Sequence, residues 1–139
     1  MAVPTSTFRW TEKYAVNVQA LDNQHRTLFA STNELNDALS QGEGSAAVDP
    51  VLQKLVDYAL SHFAAEEALM KRHRFPDFAK HRAEHEAFAR KVTEFIEEYR
   101  AGKAGVPVEL LLFLQFWLKQ HILVTDKAYS SFLNERGVR

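Results

Sequence analysis

The sequence predicts an all-α protein, an up-down-up-down four-helix bundle with an N-terminal aromatic arm and a short C-terminal helix. Three observations point there. Over four long segments the apolar residues recur with a period near 3.6 rather than 2. The five glycines and, apart from Pro4 in the arm, the prolines fall near the ends of those segments. No alternating strand pattern or hairpin dipeptide competes with them. The whole chain, residues 1–139, reads as one domain, long enough to bury a single substantial core.

Residues 1–18 form the arm, in which Phe8, Trp10 and Tyr14 stand among Thr, Ser, Pro and Asn and are placed to cover the bundle. The first helix spans about 19–41, with the stripe Leu21, His25, Leu28, Thr32, Leu35 and Leu39 spaced by three or four residues. The polar run Gln41-Gly42-Glu43-Gly44-Ser45 makes a turn. Asp49-Pro50 then opens a helix over about 50–73, the aspartate as cap and the proline in the first turn. Its stripe is Leu52, Leu55, Ala59, His62, Glu66, Leu69 and Met70. Pro76-Asp77 starts the third helix, about 77–101, with Phe78, His81, His85, Phe88, Val92, Phe95 and Tyr99 on one face and Gly102 at its end. The fourth runs from about 107 to 124 on Leu110, Leu111, Leu114, Leu118 and His121, and a short segment continues to about 135. Short turns between helices of this length give antiparallel neighbours.

Composition removes several classes of function. Hydrophobic residues make up 46% and charged residues 25%, as in an ordinary soluble protein. A net charge of -1 supplies no field to recruit nucleic acid or an anionic membrane. Lys71, Arg72 and Arg74 sit where cations favour a helix C-terminus. With no cysteine there is no disulfide, thiolate metal site or cysteine nucleophile, which fits a reducing compartment. The start MAVPTSTFRW has no apolar signal region and no apolar run approaches membrane-spanning length, so a cytoplasmic protein without a membrane span is expected.

The informative residues are polar ones in apolar places. His25 lies between Leu21 and Leu28; His62 and Glu66 interrupt the second stripe, His81 and His85 the third, and His121 follows Leu114 and Leu118. One inward histidine is an ordinary core residue bonded to a carbonyl. Five of the six histidines on the core faces of four helices are a different matter. Each polar group buried without a partner costs about 2–7 kcal/mol, so the set would consume a domain's net stability of roughly 5–15 kcal/mol. Coordination to metal removes that cost. HFAAE (62–66) and HRAEH (81–85) each offer two donors four residues apart from one helix face. Asp126 follows His121 by five residues, which a regular helix would splay by about 140°, so it needs a local distortion to join.

Five imidazoles and two carboxylates exceed the needs of one four-coordinate zinc. They suit two adjacent six-coordinate ions, with iron favoured and manganese or zinc as alternatives. Two carboxylates are fewer than the four in oxygen-cleaving di-iron bundles, which tilts the chemistry toward oxygen binding.

The segments LDNQH (21–25), HFAAEEALM (62–70), HRAEH (81–85) and WLKQHILVTD (117–126) resemble the hemerythrins, specifically the bacteriohemerythrins, from the Trp10/Tyr14 arm to about Tyr129. The resemblance implies two non-heme irons with an oxo or hydroxo bridge. His81, His85 and His121 would hold one and His25 and His62 the other, with Glu66 and Asp126 bridging. The second iron would keep one position open for dioxygen, lined by Leu28, Phe63, Trp117, Leu118 and Ile122. His73 and the acids Glu84 and Glu86 are expected in solvent, and Glu67 as a surface acid or an outer acceptor.

The implied function is reversible dioxygen binding for transport, storage or delivery by a monomer that is not an enzyme. Two alternatives remain at this stage. A sensor would change its surface for a partner on oxygenation; the sequence ending about a dozen residues after Asp126, with no signalling domain, weighs against it. A di-iron enzyme (peroxidase, iron oxidase or nitric oxide reductase) would turn over repeatedly with a reductant.

Overall fold

The computed structural model describes residues 8–41 and 45–139. The arm's first seven residues and positions 42–44 of the predicted first turn lie outside the described residues. The helices are α1 (Gln19–Ser40), α2 (Ser45–Arg72), α3 (Phe78–Arg100), α4 (Val106–Gln120) and α5 (Lys127–Glu135). A six-residue π-helical turn, His121–Asp126, joins the last two. Each of the first four packs on its sequence neighbour and α4 closes against α1, which is the predicted bundle.

Two boundaries differ from expectation by more than a residue. α2 starts at Ser45, five residues before the predicted 50, with Pro50 inside it. Proline near the first turns forfeits one backbone bond at a solvent-facing helix end, which is tolerable there. Asp49 is therefore not a cap; it accepts a hydrogen bond from the Tyr99 hydroxyl at 2.5 Å and ties α2 to α3. α4 ends at Gln120, four residues before the predicted 124, where the π turn begins, and the expected C-terminal segment is α5, ending at Glu135. α4, the π turn and α5 form one continuous run, Val106–Glu135, with a window of mean hydropathy 1.2, long and apolar enough by length and composition to cross a membrane. Core helices of bundles meet the same test, and here the inward face carries the buried Leu110, Leu114, Leu118, His121, Asp126 and Tyr129.

The arm is fastened at several points. Phe8 stacks on Phe29 with ring centroids 4.1 Å apart, and Tyr14 meets the same ring edge-on at 5.0 Å. Arg26 lies over the Trp10 ring at 4.0 Å. The Asp22 carboxylate accepts the backbone N–H groups of Val16 (2.8 Å) and Asn17 (3.2 Å), the latter in a left-handed conformation that asparagine tolerates. α2 ends in a Schellman arrangement: Phe75 N–H reaches Met70 C=O at 2.9 Å and Arg74 N–H reaches Lys71 C=O at 3.2 Å. That sharp reversal turns Phe75 back into the core and sets the register of α3.

The core is divided. Leu28, Phe29, Leu35, Leu55, Phe63, Phe88, Leu110, Leu114, Leu118 and Ile122 belong to one apolar cluster. Val16, Val18, Leu21, Met70, Phe75, Tyr129 and Leu133 form another. Along α1 the stripe passes from Leu21 in the smaller cluster through His25 to Leu28 in the larger. Along α3 it passes from Phe75 and Phe78 through His81 and His85 to Phe88. A polar layer between the two clusters is the result.

Candidate metal centre

All seven predicted donors meet in that layer, and none is more than 4% exposed: His25 from α1, His62 and Glu66 from α2, His81 and His85 from α3, His121 and Asp126 from the π turn. The i, i+4 pairs on α2 and α3 arrive on one face because 400° of rotation nearly closes a turn. His121 and Asp126 arrive together because residues five apart align in a π turn. The distortion that the sequence requires for Asp126 is therefore present.

The donors form two sets that share both carboxylates: Glu66, His81, His85, His121 and Asp126 in one, and His25, His62, Glu66 and Asp126 in the other. Asp126 divides its oxygens between them. Its Oδ1 lies 3.0 Å from the Nε2 atoms of His81 and His121, and its Oδ2 lies 3.1 Å from Nε2 of His25. Glu66 Oε1 is 3.3 Å from Nε2 of both His62 and His85, and Oε2 is 3.4 Å from Nε2 of His25.

A hydrogen-bond network does not account for these distances. His85 and His121 bring Nε2 to Nε2 at 3.1 Å, an arrangement in which two rings share at most one proton. Both nitrogens of His81, both oxygens of Asp126 and Oε1 of Glu66 are buried without a hydrogen-bond partner, despite the short distances. Two donors bound at about 2.1 Å and at right angles around one ion sit about 3.0 Å apart. The residues fit a pair of cations bridged by carboxylates, and the donor set of imidazole and carboxylate suits iron.

The protons follow the same geometry. Burial alone would lower the His25 pKa, but Asp126 and Glu66 outweigh it and raise it to about 10. Burial would likewise lower His121, which the Asp126 carboxylate instead raises. Glu66 is pushed up by burial and pulled down further by His62, His25 and His85, so it stays well below the usual carboxylate range. Asp126 is also lowered, because His121 and His25 overcome both burial and the Glu66 charge. Metal must displace a proton that His25 holds below about pH 10. Ferrous affinity of the metal-free protein is accordingly expected to rise with pH, about tenfold per unit per proton displaced between pH 6 and 8. Anaerobic titration at three pH values checks this, and a flat profile would contradict the protonated ring.

Four surrounding residues support the donors, three of them in roles that the sequence did not assign or assigned differently. Gln24, next to His25 in LDNQH, faces Nδ1 of His62 with its amide oxygen at 2.6 Å. Glu67 takes the second of its two expected places, as an outer acceptor: it receives the Nδ1–H of His85 at 2.8 Å. Glu84, expected in solvent, accepts a hydrogen bond from Thr125 at 3.1 Å and lies 3.8 Å from Nδ1 of His121. Tyr129, fully buried, donates its hydroxyl to Glu66 Oε2 at 2.5 Å, and burial with the Asp126 and Glu66 charges keeps its pKa well above the usual value. Its place three residues after Asp126, on the same helical face, was the available signal. His73 is half-buried rather than exposed and joins neither donor set.

Leu28, Phe63, Leu118 and Ile122 are buried in the larger apolar cluster, and Trp117 packs against it half-buried. Phe63 stacks on the His85 imidazole at 4.0 Å and Trp117 on that of His121 at 4.2 Å. Both aromatic rings therefore pack on imidazoles of the three-histidine set.

The bundle and its centre define a class: a four-helix protein built to hold two metal ions between shared carboxylates, with more imidazole than acid in the ligand shell. A family model described as the hemerythrin HHE cation binding domain matches residues 16–133. The bacteriohemerythrin of Pseudomonas aeruginosa (strain LESB58) is 39% identical over 86% of this chain and 77% of its own length. That of Methylococcus capsulatus is 34% identical over 90% and 95%, and the myohemerythrin of Theromyzon tessulatum 31% over 91% and 93%. A wild-type hemerythrin crystal structure superposes with a TM-score of 0.82 at 33% identity, covering 88% of this chain and 94% of that one. The chain belongs to the hemerythrin family.

Proposed function

We propose that the protein binds dioxygen reversibly at a non-heme di-iron centre, as a carrier or store rather than an enzyme. One observation carries this: two donor sets of five and four residues share Glu66 and Asp126, which leaves the His25/His62 ion with fewer protein ligands. The iron pair, when bound, supplies the electrons and the open coordination position that dioxygen needs. The chain's residues supply the rest. Glu66 and Asp126, common to both donor sets, would hold the two ions, and Tyr129 keeps Glu66 in orientation by donating to Oε2. Leu28, Phe63, Trp117, Leu118 and Ile122 keep the surroundings apolar, which withholds the protons and anions that would make oxidation irreversible. Among them Leu28 and Ile122 are at most 1% exposed, so solvent has little access on their side.

The test is elemental analysis together with visible spectra of the reduced, oxygenated and purged protein. The expected result is two irons per chain and an oxygen-dependent charge-transfer band that disappears on purging and returns over repeated cycles. A protein that never regains its diferrous form would refute the carrier reading, and sustained turnover with a reductant would replace it with an enzyme.

A monomer in the cytoplasm, without a membrane span, belongs to the same proposal. The absence of cysteine fits a reducing compartment. The long apolar helix is explained by its core face and its donors, because a spanning role would withdraw His121 and Asp126 from the centre. Sedimentation at micromolar concentration checks the monomer. A second copy docked on Leu112, Phe116 and Val124, exposed along the outside of that helix, would refute it.

A further inference from the structure

The two donor sets differ in what stands behind their imidazoles. In the three-histidine set, His85 Nδ1 donates to the Glu67 carboxylate at 2.8 Å. Glu84 lies 3.8 Å from Nδ1 of His121 in the same set. In the two-histidine set, His62 Nδ1 faces the neutral amide of Gln24 at 2.6 Å, and His25 Nδ1 has no partner. Among the described residues, the two acids that stand at Nδ1 of a donor imidazole, Glu67 and Glu84, are thus both on the three-histidine side, where His81 Nδ1 has no partner. Buried Asp22 is bonded instead to the backbone N–H groups of Val16 and Asn17. The cation near Glu67, Arg82, is itself exposed; it lies 3.9 Å from Glu67 but 3.1 Å from Glu86, its closer partner.

A carboxylate behind a metal-bound imidazole pulls the Nδ1 proton toward itself and makes Nε2 a stronger donor to positive charge. An amide does so weakly. Resting on the di-iron reading, we propose that Glu67 decides which ion of the pair is oxidised first. By charging the His85 ring it directs the first ferric charge to the ion held by His81, His85 and His121. The ion held by His25 and His62 remains ferrous, and it is the one with the fewer protein ligands. The step is a one-electron oxidation: an electron leaves the diferrous protein for an outer-sphere oxidant such as ferricyanide, which becomes ferrocyanide, with no bond made or broken. Glu67 acts through His85 and is a positioning residue. Its partial burial, 25% exposed, leaves enough of its charge unscreened to act over that distance.

The experiment uses iron-loaded wild type, Glu67→Gln, Gln24→Glu and the double exchange, each with iron content measured first. The first one-electron potential is read by spectroelectrochemistry. The coordination of the ferrous ion left in the half-oxidised form is read by near-infrared magnetic circular dichroism. Glu67→Gln keeps a hydrogen-bond acceptor and removes the charge, so its ferric/ferrous equilibrium should move about tenfold toward ferrous, a rise of about 59 mV for one electron. Gln24→Glu should lower the potential. The double exchange should leave the ferrous signal of the higher-coordinate ion in place of the lower-coordinate one seen in wild type. Two irons bound with an unchanged potential in Glu67→Gln, or the same ferrous signal in wild type and double exchange, would overturn the proposal while leaving the di-iron reading intact. If Glu67→Gln fails to load, Gln24→Glu alone decides by the sign of its shift. Wild type without two irons would instead sink the reading beneath it.

Discussion

Glu66→Ala is expected to take the protein from two bound irons to fewer than one per chain. Glu66 is fully buried, and its two oxygens reach the Nε2 atoms of His25, His62 and His85 at 3.3–3.4 Å. It belongs to both donor sets, and among the described residues only Asp126 likewise belongs to both. Its loss also strips the Tyr129 hydroxyl of its acceptor in a fully buried position. An ion present at a thousand times its Kd stabilises the folded chain by about 4 kcal/mol, so losing two removes about 8 kcal/mol from the unfolding free energy of the loaded protein. Metal content after desalting, and denaturant unfolding with and without iron, measure both effects. The metal-free forms should differ far less, because the variant also removes a buried carboxylate. Retention of two irons with an unaltered spectrum would show that Glu66 is not shared.

The second large effect is more selective. His62→Ala should lower iron content toward one per chain and weaken oxygen binding by at least about 100-fold, beyond the 10–100-fold typical of losing an outer partner. The two-histidine set has only His25 and His62 as nitrogen donors, whereas the other set keeps all three. The Gln24 amide would lose its partner as well. The remaining iron should sit with His81, His85 and His121, giving a mononuclear ferric signal after oxidation. Added imidazole should restore part of the oxygen adduct, which separates a missing ligand from a misfolded bundle. Two irons and ordinary oxygen binding in this variant would mean that the centre is placed wrongly.

Much of this was visible in the order of residues. The 3.6 period placed four helices within a residue or two of their observed ends, except at the end of α4, which gives way to the π turn four residues early, and at the start of α2, where Pro50 reads as an opening signal but lies inside the helix. Proline marks what a backbone cannot do, not where an earlier turn has already begun. Six of the seven donors were legible because each breaks an apolar stripe, and burying them without partners is too costly to be incidental; Asp126, five residues past His121, was placed by the family resemblance. The roles of Gln24 and Glu84 were not legible, and that of Glu67 only as one of two alternatives, since each sits beside the stripe, where a solvated polar residue looks the same. Trp117 reads as pocket lining, and only the fold shows that its ring lies flat on His121.

The sequence by itself determined which faces turn inward and that those faces carry metal donors, because helical rotation depends only on local backbone geometry. Only the tertiary structure decided which donors meet. Cross-helix distances depend on register, rotation and packing that no single helix encodes. The π turn is the clearest case: five residues separate His121 from Asp126, and whether that spacing aligns or splays them depends on a backbone hydrogen-bond pattern that forms as the last helix packs against the other three.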